Sequence, residues 1–150
     1  MKAGIFLATV FLALGANAAT LQNCQVDKDF DVLPGSHGSD TVTEGSTYCF
    51  DLIGTVFEPF PKGSLASVSF RNLTRDLWTV QAPLCKVLRS GPSKANCPGL
   101  AKNNKGLTGC IKIPKAKIAL PKSGTTIQVS IEVLTEQGAL TCIKGTLKIA

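Results

Sequence analysis

The stretch from Thr125 to Ile149 constrains the fold more than any other part of this 150-residue sequence. Apolar side chains alternate with polar ones in its first half, at Ile127, Val129, Ile131 and Val133. Successive side chains of a β-strand point to opposite faces, so this alternation predicts a half-buried strand. The tripeptide Glu136-Gln137-Gly138 predicts a turn into a second strand. Because a hairpin with one apolar face is not stable alone in water, a second sheet must cover it.

Residues 1–18 predict a secretory signal peptide rather than a part of the fold. Lys2 gives a positive start, residues 4–15 are mostly apolar, and Ala16-Asn17-Ala18 is a small-residue cleavage site. The apolar run is shorter than the roughly 20 residues that a membrane-spanning helix needs. We therefore expect a signal peptide at 1–18 and one secreted mature domain at 19–150.

Strand patterns recur through the rest of the chain, with short turn signals between them. No segment predicts a helix, and residues 34–40, 85–97 and 99–109 are predicted as turns or loops. About seven strand candidates result, at 24–33, 46–60, 65–70, 77–82, 110–120 and the two halves of the hairpin. Short strands at close spacing, each with one apolar face, predict an all-β fold, a β-sandwich of two antiparallel sheets.

Six cysteines follow the predicted signal peptide, namely Cys24, Cys49, Cys85, Cys97, Cys110 and Cys142. An even number of cysteines in a secreted chain favours three disulfides. A zinc site is the alternative, but the chain has no Cys-x-x-Cys pair and His37 is its only histidine. Asn72-Leu73-Thr74 is a further feature of secreted chains, an acceptor for N-glycosylation if it lies on a surface turn.

Basic residues are concentrated in the second half of the chain. Without Lys2 the sequence has 15 basic and 10 acidic residues, a net charge of +5. No acidic residue occurs between Asp76 and Glu132. That interval holds nine basic residues: Lys86, Arg89, Lys94, Lys102, Lys105, Lys112, Lys115, Lys117 and Lys122. We expect positive potential along one side of the molecule, which either maintains solubility or attracts anionic membrane surfaces.

Catalytic chemistry has little support in this sequence. A serine nucleophile would need His37 as its base, and there is no Gly-x-Ser-x-Gly or glycine-rich phosphate-binding motif. The lysines have few aromatic neighbours on which bases could stack, so nucleic-acid binding is not expected either. We predict a protein that is not an enzyme, with no catalytic residues, metal site or cofactor.

Large aromatic side chains are abundant on the predicted strands: Phe50, Phe57, Phe60, Phe70 and Trp78. Two interpretations of this apolar surface are open. Either the side chains fill the core completely, or the sheets separate around a cavity for an apolar ligand. Periodicity alone does not distinguish the two.

Four stretches carry a resemblance to a known family. They are Cys24 with the 31–39 segment Asp-Val-Leu-Pro-Gly-Ser-His-Gly-Ser; Glu44-Gly45 before a long apolar strand; Cys97-Pro98 before a Lys/Gly loop; and the segments 118–123, Ile-Ala-Leu-Pro-Lys-Ser, and 137–142, Gln-Gly-Ala-Leu-Thr-Cys. Together they extend over nearly the whole predicted mature chain. In their order and spacing the sequence resembles the MD-2-related lipid-recognition family, in particular its Niemann–Pick type C2 sterol carriers and group 2 mite allergens.

The resemblance implies a fold and a set of disulfides. The family fold is an immunoglobulin-like β-sandwich whose sheets separate to hold a lipid. The family's bridges correspond here to Cys24 with Cys142 and Cys85 with Cys97, which leaves Cys49 and Cys110 as the third pair. The family's short bridge around the Pro-Gly turn is missing, because Ser36 and Val42 stand where its cysteines are expected.

The resemblance also implies a function. We expect a non-catalytic monomer, extracellular or in the lysosomal lumen, that carries a sterol, a fatty acid or a similar apolar ligand in a hydrophobic cavity between the sheets. Lysines between residues 102 and 122 would lie near the mouth of the cavity or along one flank, and would contact an anionic membrane or a receptor. The alternative is lipid-dependent immune recognition, or carriage of a chemical signal, through a receptor or a microbial glycolipid.

Strand parity selects the residues expected to bind the lipid, and each of them would equally fit a plain core. They are Tyr48, Phe50, Leu52, Val68, Phe70, Trp78, Val80, Ile113, Ile118, Ile127, Val129, Ile131 and Val133.

Overall fold

The structure is a computed structural model and describes residues 18–24, 30–56, 60–89 and 106–150. Within these ranges the chain forms ten β-strands and one short helix, α1 (Leu84–Arg89). The strands are β1 (Ala18–Asn23), β2 (Phe30–Val32), β3 (His37–Ser39), β4 (Thr41–Val42), β5 (Thr47–Val56), β6 (Leu65–Asn72), β7 (Arg75–Pro83), β8 (Gly106–Lys112), β9 (Thr126–Thr135) and β10 (Gly138–Ile149). The prediction of an all-β fold is confirmed.

The hairpin of residues 125–149 forms the centre of the first sheet. β9 and β10 pair antiparallel over almost their whole length, and Gly138 leaves the turn with a φ of 114°. β6 pairs with the other edge of β9, and β7 pairs with β6. The apolar side chains of β9 are all buried: Ile127, Val129, Ile131 and Val133. The alternation in the sequence therefore identifies the inner face of this sheet correctly.

The covering sheet is built around β5. β2 and β3 pair with one edge of β5 and β8 pairs with the other, all antiparallel. β5 directs Tyr48, Phe50 and Leu52 towards the first sheet, and all three are buried. The inner faces of the two sheets meet in one hydrophobic core, so the predicted β-sandwich is confirmed.

β1 belongs to both sheets. Residues 18–20 pair with β3 of the covering sheet, whereas residues 21–23 pair with β10 of the first sheet. β4 adds a short parallel pairing at the end of β10. The two sheets are thus continuous through β1, and among the described strands the sandwich is open on the opposite side, between β7 and β8.

Some of the predicted strand positions are wrong. The range 24–33 contains the three-residue β2, its residues 25–29 lie outside the described residues, and β1, which ends at Asn23, was not expected. The segment 34–40, expected to be a turn, contains β3. These short strands are held by backbone pairing with their neighbours, and their own sequence has too few residues to give a clear alternation.

Helix α1 contradicts the prediction of a loop at the start of 85–97 and of a chain without helix. Leu84, Val87 and Leu88 have the i, i+3, i+4 spacing of one helix face, and all three are buried. Residues 90–97 lie outside the described residues. β8 also differs from the strand expected at 110–120, because it begins at Gly106 and ends at Lys112. Pro114 has no N–H to donate to a ladder, which is consistent with the end of pairing there.

Two disulfides join distant parts of the described chain. Cys24 and Cys142 have their Cα atoms 5.3 Å apart, and Cys49 and Cys110 occupy directly paired positions of β5 and β8, 4.1 Å apart. Both are pairs that the family resemblance implied. Cys85 is also disulfide-bonded, and Cys97, its expected partner, lies outside the described residues. The predicted signal peptide lies outside them too, except for Ala18, which begins β1.

Candidate functional site

One end of the sandwich interior is filled by aromatic side chains. The ring of Phe70 lies edge-to-face against both Tyr48 and Trp78, with ring centroids 5.3 and 5.8 Å apart. Phe70 is completely buried, and its two neighbours are nearly so. Edge-to-face contacts at these distances are favourable beyond the burial of area. This part of the core, called the aromatic end below, is closely packed.

The other end of the interior contains a small enclosed cavity, and is called the cavity end below. Both sheets contribute to its lining, and Leu84 and Leu88 of α1 close it beside Leu107 of β8. The volume is about 20 Å³, which is room for about one water molecule. The residues that line it are Phe50, Leu52, Phe60, Ala66, Leu84, Leu88, Leu107, Ile131, Glu132, Val133, Thr141 and Ile143.

The structure places all of the residues that were expected to bind lipid in the core, or, for Val80 and Ile118, packed against it. Four of them line the cavity: Phe50, Leu52, Ile131 and Val133. Of the others, Tyr48, Phe70 and Trp78 form the aromatic end. The other eight lining residues were not expected: Phe60, Ala66, Leu84, Leu88, Leu107, Glu132, Thr141 and Ile143.

The sequence contained a signal for some of these unexpected residues. Ala66 lies two positions before Val68, and Ile143 follows the alternation of its strand, so parity alone could have found both. The helical spacing of Leu84 and Leu88 could have indicated that α1 packs on the core. Thr141 has the same parity as Ile143, but its polar side chain is not one that hydropathy would assign to the core.

Three buried polar side-chain atoms have no hydrogen-bond partner among the described residues: Tyr48 Oη, Trp78 Nε1 and Thr141 Oγ1. The first two lie at the aromatic end, and Thr141 lines the cavity. Burial raises the pKa of the Tyr48 phenol above its usual range, because the phenolate would lose its hydration. Gly38 faces this hydroxyl so closely that a Cβ atom there would overlap it, so the position requires glycine.

A cleft of about 290 Å³ lies at the aromatic end of the open side of the sandwich, and is called the lysine cleft below. It is formed by residues 76–79 of β7 and by the segment 114–118, including Trp78 and the exposed Lys115 and Lys117. The Glu44 carboxylate accepts a hydrogen bond of 2.7 Å from the backbone N–H of Ala116, which fixes this segment. Lys94, Lys102 and Lys105 of the predicted basic flank lie outside the described residues.

A depression of about 450 Å³, larger than the lysine cleft, lies on the outer face of the first sheet. Polar and charged side chains such as Arg71, Gln128, Glu132 and Lys144 line it, and it is open to solvent. Its lining is mostly polar, so it does not fit an apolar ligand.

In the described part of the chain, no three His, Cys, Asp or Glu residues come together in a way that could hold a metal ion. His37 is exposed, and its Nδ1 lies 3.0 Å from the carbonyl oxygen of Gly35.

None of the helices in the described ranges is long and apolar enough to cross a membrane. Asn72, the expected glycosylation site, ends β6 at a surface turn beside Leu73, which is 86% exposed.

Comparisons with known proteins give similarity only among solved structures. No family model matches the sequence. No curated protein matches it either. A Niemann-Pick type C2 protein from Japanese carpenter ant is 18% identical with a TM-score of 0.49, over 87% of this chain and 99% of the ant protein. Chicken MD-1 complexed with lipid IVa is 14% identical with a TM-score of 0.40, over 87% and 97% of the two chains.

Proposed function

We propose that the protein is a non-catalytic carrier that holds one apolar lipid, such as a sterol or a fatty acid, between its two sheets at the cavity end. The observation that supports this most directly is the convergence of apolar side chains from both sheets and from α1 on one enclosed space. An enclosed, mostly apolar site with few polar groups is the usual form of a small-molecule pocket. The filled aromatic end gives the two sheets a fixed contact beside this space.

Entry of a lipid requires the cavity to expand, since about 20 Å³ is far less than a lipid occupies. α1 is the element best placed to move, because it has only six residues and lies on the open side of the sandwich. It contributes Leu84 and Leu88 to the lining, so an outward shift of α1 would enlarge the cavity directly. Burial of about 300 Å² of apolar ligand surface would contribute about 7 kcal/mol before ordering costs, which corresponds to roughly micromolar affinity.

The protein acts outside the cell or in the lysosomal lumen in this proposal. Residues 1–18 are removed as a signal peptide, and residues 19–150 fold as one monomeric domain. The disulfides of the described chain fit an oxidising compartment. Asn72 lies at a surface turn where an oligosaccharide could be attached without disturbing the core.

The lysine cleft is the proposed contact with anionic lipid headgroups during delivery. Lys115 and Lys117 are exposed there beside Trp78, and Lys112 and Lys122 are exposed on the same segment of chain. Lysines near an anionic surface each contribute about 1 kcal/mol to binding. The same cleft would serve the alternative function, in which a lipid-loaded protein is recognised by a receptor or binds an anionic microbial glycolipid.

The test is organic extraction and mass spectrometry of the protein purified from secretion, followed by titration of the delipidated protein with Nile red. One sterol, fatty acid or related lipid per protein molecule is expected, together with saturable Nile red fluorescence that the extracted lipid displaces. An empty extract combined with no Nile red binding would contradict the carrier function and indicate a core that does not open.

A further inference from the structure

Thr141 is a polar side chain within an otherwise apolar cavity wall. It is 3% exposed, it lines the cavity, and its Oγ1 has no hydrogen-bond partner among the described residues. An unpaired buried hydroxyl costs free energy, because it loses its bonds to water without replacement. Valine has the same shape and would fill the position without this cost. The hydroxyl therefore indicates a ligand that enters the cavity and hydrogen-bonds to it.

A β-bulge determines which residue of β10 faces the cavity. Ala139 pairs with Leu134, and Thr141 pairs with Val133, so that Leu140 is the extra residue between two ladder positions. From Thr141 onwards the ladder is regular, so Thr141 lies on the same inner face as Ile143. In a regular ladder that continued from Ala139, Leu140 would stand opposite Val133. β-Bulges commonly re-aim a side chain next to a functional site.

A single water molecule is a poor partner for this hydroxyl. A buried water is normally held by about three polar groups. The other polar lining residue, Glu132, lies between the inward-facing Ile131 and Val133. Its side chain therefore points to the outer face of the first sheet, where it lines the polar depression. Among the described lining residues Thr141 is thus the polar side chain that points inward. A water there would be easily displaced by a ligand group.

The charge of the lining limits which ligand group can reach Thr141. No lysine, arginine or histidine is among the described lining residues. A carboxylate or phosphate placed there would lose its hydration without gaining an opposite charge, which is strongly unfavourable. A neutral hydroxyl or carbonyl has a much smaller desolvation cost, which one hydrogen bond can offset.

We infer that the lipid carried by this protein has a neutral hydroxyl or carbonyl group, which enters the cavity and hydrogen-bonds to Thr141 Oγ1. This inference rests on the proposed carrier function and adds an orientation to it. The polar group of the ligand lies at the cavity end, between the sheets and α1. Long-chain alcohols, ketones and sterols satisfy this requirement, whereas an ionised fatty acid bound head-first does not.

The test compares three ligands of equal chain length, decanol, decane and decanoate, in displacing Nile red from the delipidated mature chain. Decanol should displace the dye at a roughly fivefold to tenfold lower concentration than decane, as one net hydrogen bond predicts. Decanoate should be the weakest of the three. Thr141→Val should bind decane as well as the wild type does and lose the preference for decanol. Thr146→Val, an exposed threonine on the outer face of the same strand, is the matched control and should keep the preference.

The outcomes separate this inference from the proposed function. If Nile red binds and decane displaces it, but decanol shows no advantage or Thr141→Val keeps the advantage, the role of Thr141 is wrong while the carrier function stands. Strongest displacement by decanoate would also overturn the inference, because it requires a cationic or solvated site for the head. Absence of Nile red binding would contradict the carrier function itself. The melting temperature of Thr141→Val should equal or exceed that of the wild type, since the unpaired hydroxyl is removed.

Discussion

β5 and β6 contribute to both the aromatic end and the cavity end of the interior, but the inward-facing side chains of β6 differ in size between the two ends. β6 places Phe70 at the aromatic end and Ala66 at the cavity end, both on the inner face. β9 passes behind both, with Val129 opposite Phe70 and Val133 opposite Ala66. Along β6, the large side chain of Phe70 makes a closely packed contact, whereas the small side chain of Ala66 leaves space beside it. In the proposed carrier, therefore, stability and ligand capacity would belong to different ends of one core.

The largest effect is expected for Phe70→Ala at the aromatic end. Phe70 is fully buried between two other rings, so its removal should lower the free energy of unfolding by about 3–5 kcal/mol. Leu88→Ala at the cavity end should cost less, because α1 can move into the space. Denaturant unfolding of both variants measures the difference. Equal losses would show that the two ends are equally tightly packed.

The pH dependence of stability should report on the aromatic end. Tyr48 is the only tyrosine, and burial keeps its pKa in the folded state above the value of 10.0 that applies to the unfolded chain. Above that pH the unfolded chain ionises while the folded protein stays protonated. Stability should therefore fall by about 1.4 kcal/mol for each pH unit above 10, up to the folded pKa.

Absorbance of the phenolate provides the measurement, since one chromophore gives the signal. It should rise together with unfolding in the wild type. Tyr48→Phe should be at least as stable at neutral pH, because the hydroxyl has no partner among the described residues. It should also lose the part of the alkaline slope that comes from this phenol. A phenolate that forms near pH 10 without unfolding would mean that the aromatic end admits water.

Ala66→Val should fill the cavity end and reduce ligand capacity. Ala66 is 1% exposed and lines the cavity, so added methyl groups would occupy the space that a ligand needs. We expect Nile red affinity to fall roughly tenfold, with a change in stability of no more than about 1 kcal/mol. Ser69→Val, which lies on the same strand and outside the cavity lining, is the control. Unchanged affinity in Ala66→Val would place the ligand elsewhere.

The smallest effect is expected at the lysine cleft. Lys115→Ala should weaken binding to vesicles that contain phosphatidylserine by about fivefold, and less at high salt, as removal of one surface lysine predicts. Lys62→Ala removes an exposed lysine from the turn after Phe60, at the cavity end, and serves as the control. Co-sedimentation with the vesicles measures both. A larger loss in Lys62→Ala would assign the membrane contact to the cavity end.

The sequence allowed the long strands to be predicted because each carries its own alternation. Ile127 and Val133 lie six positions apart in the chain. They face the same core because parity is preserved along an uninterrupted strand. The size of the cavity is different, because it depends on how closely Ala66 of β6 and Leu84 and Leu88 of α1 approach one another. Thr141 was missed because it is polar, although it has the same parity as the buried Ile143.

Because β1 pairs with strands of both sheets, it also determines how early in synthesis the sandwich can form. β1 is the first described strand to be synthesised, yet residues 21–23 pair with β10, the last one, and Cys24 bonds to a cysteine 118 positions later. Contacts between such distant parts of a chain form slowly, because a long loop must close first. β10 must therefore leave the ribosome before the sandwich can close. Until then Cys24 is exposed to wrong partners, so its bridge is the step at which oxidative folding can fail.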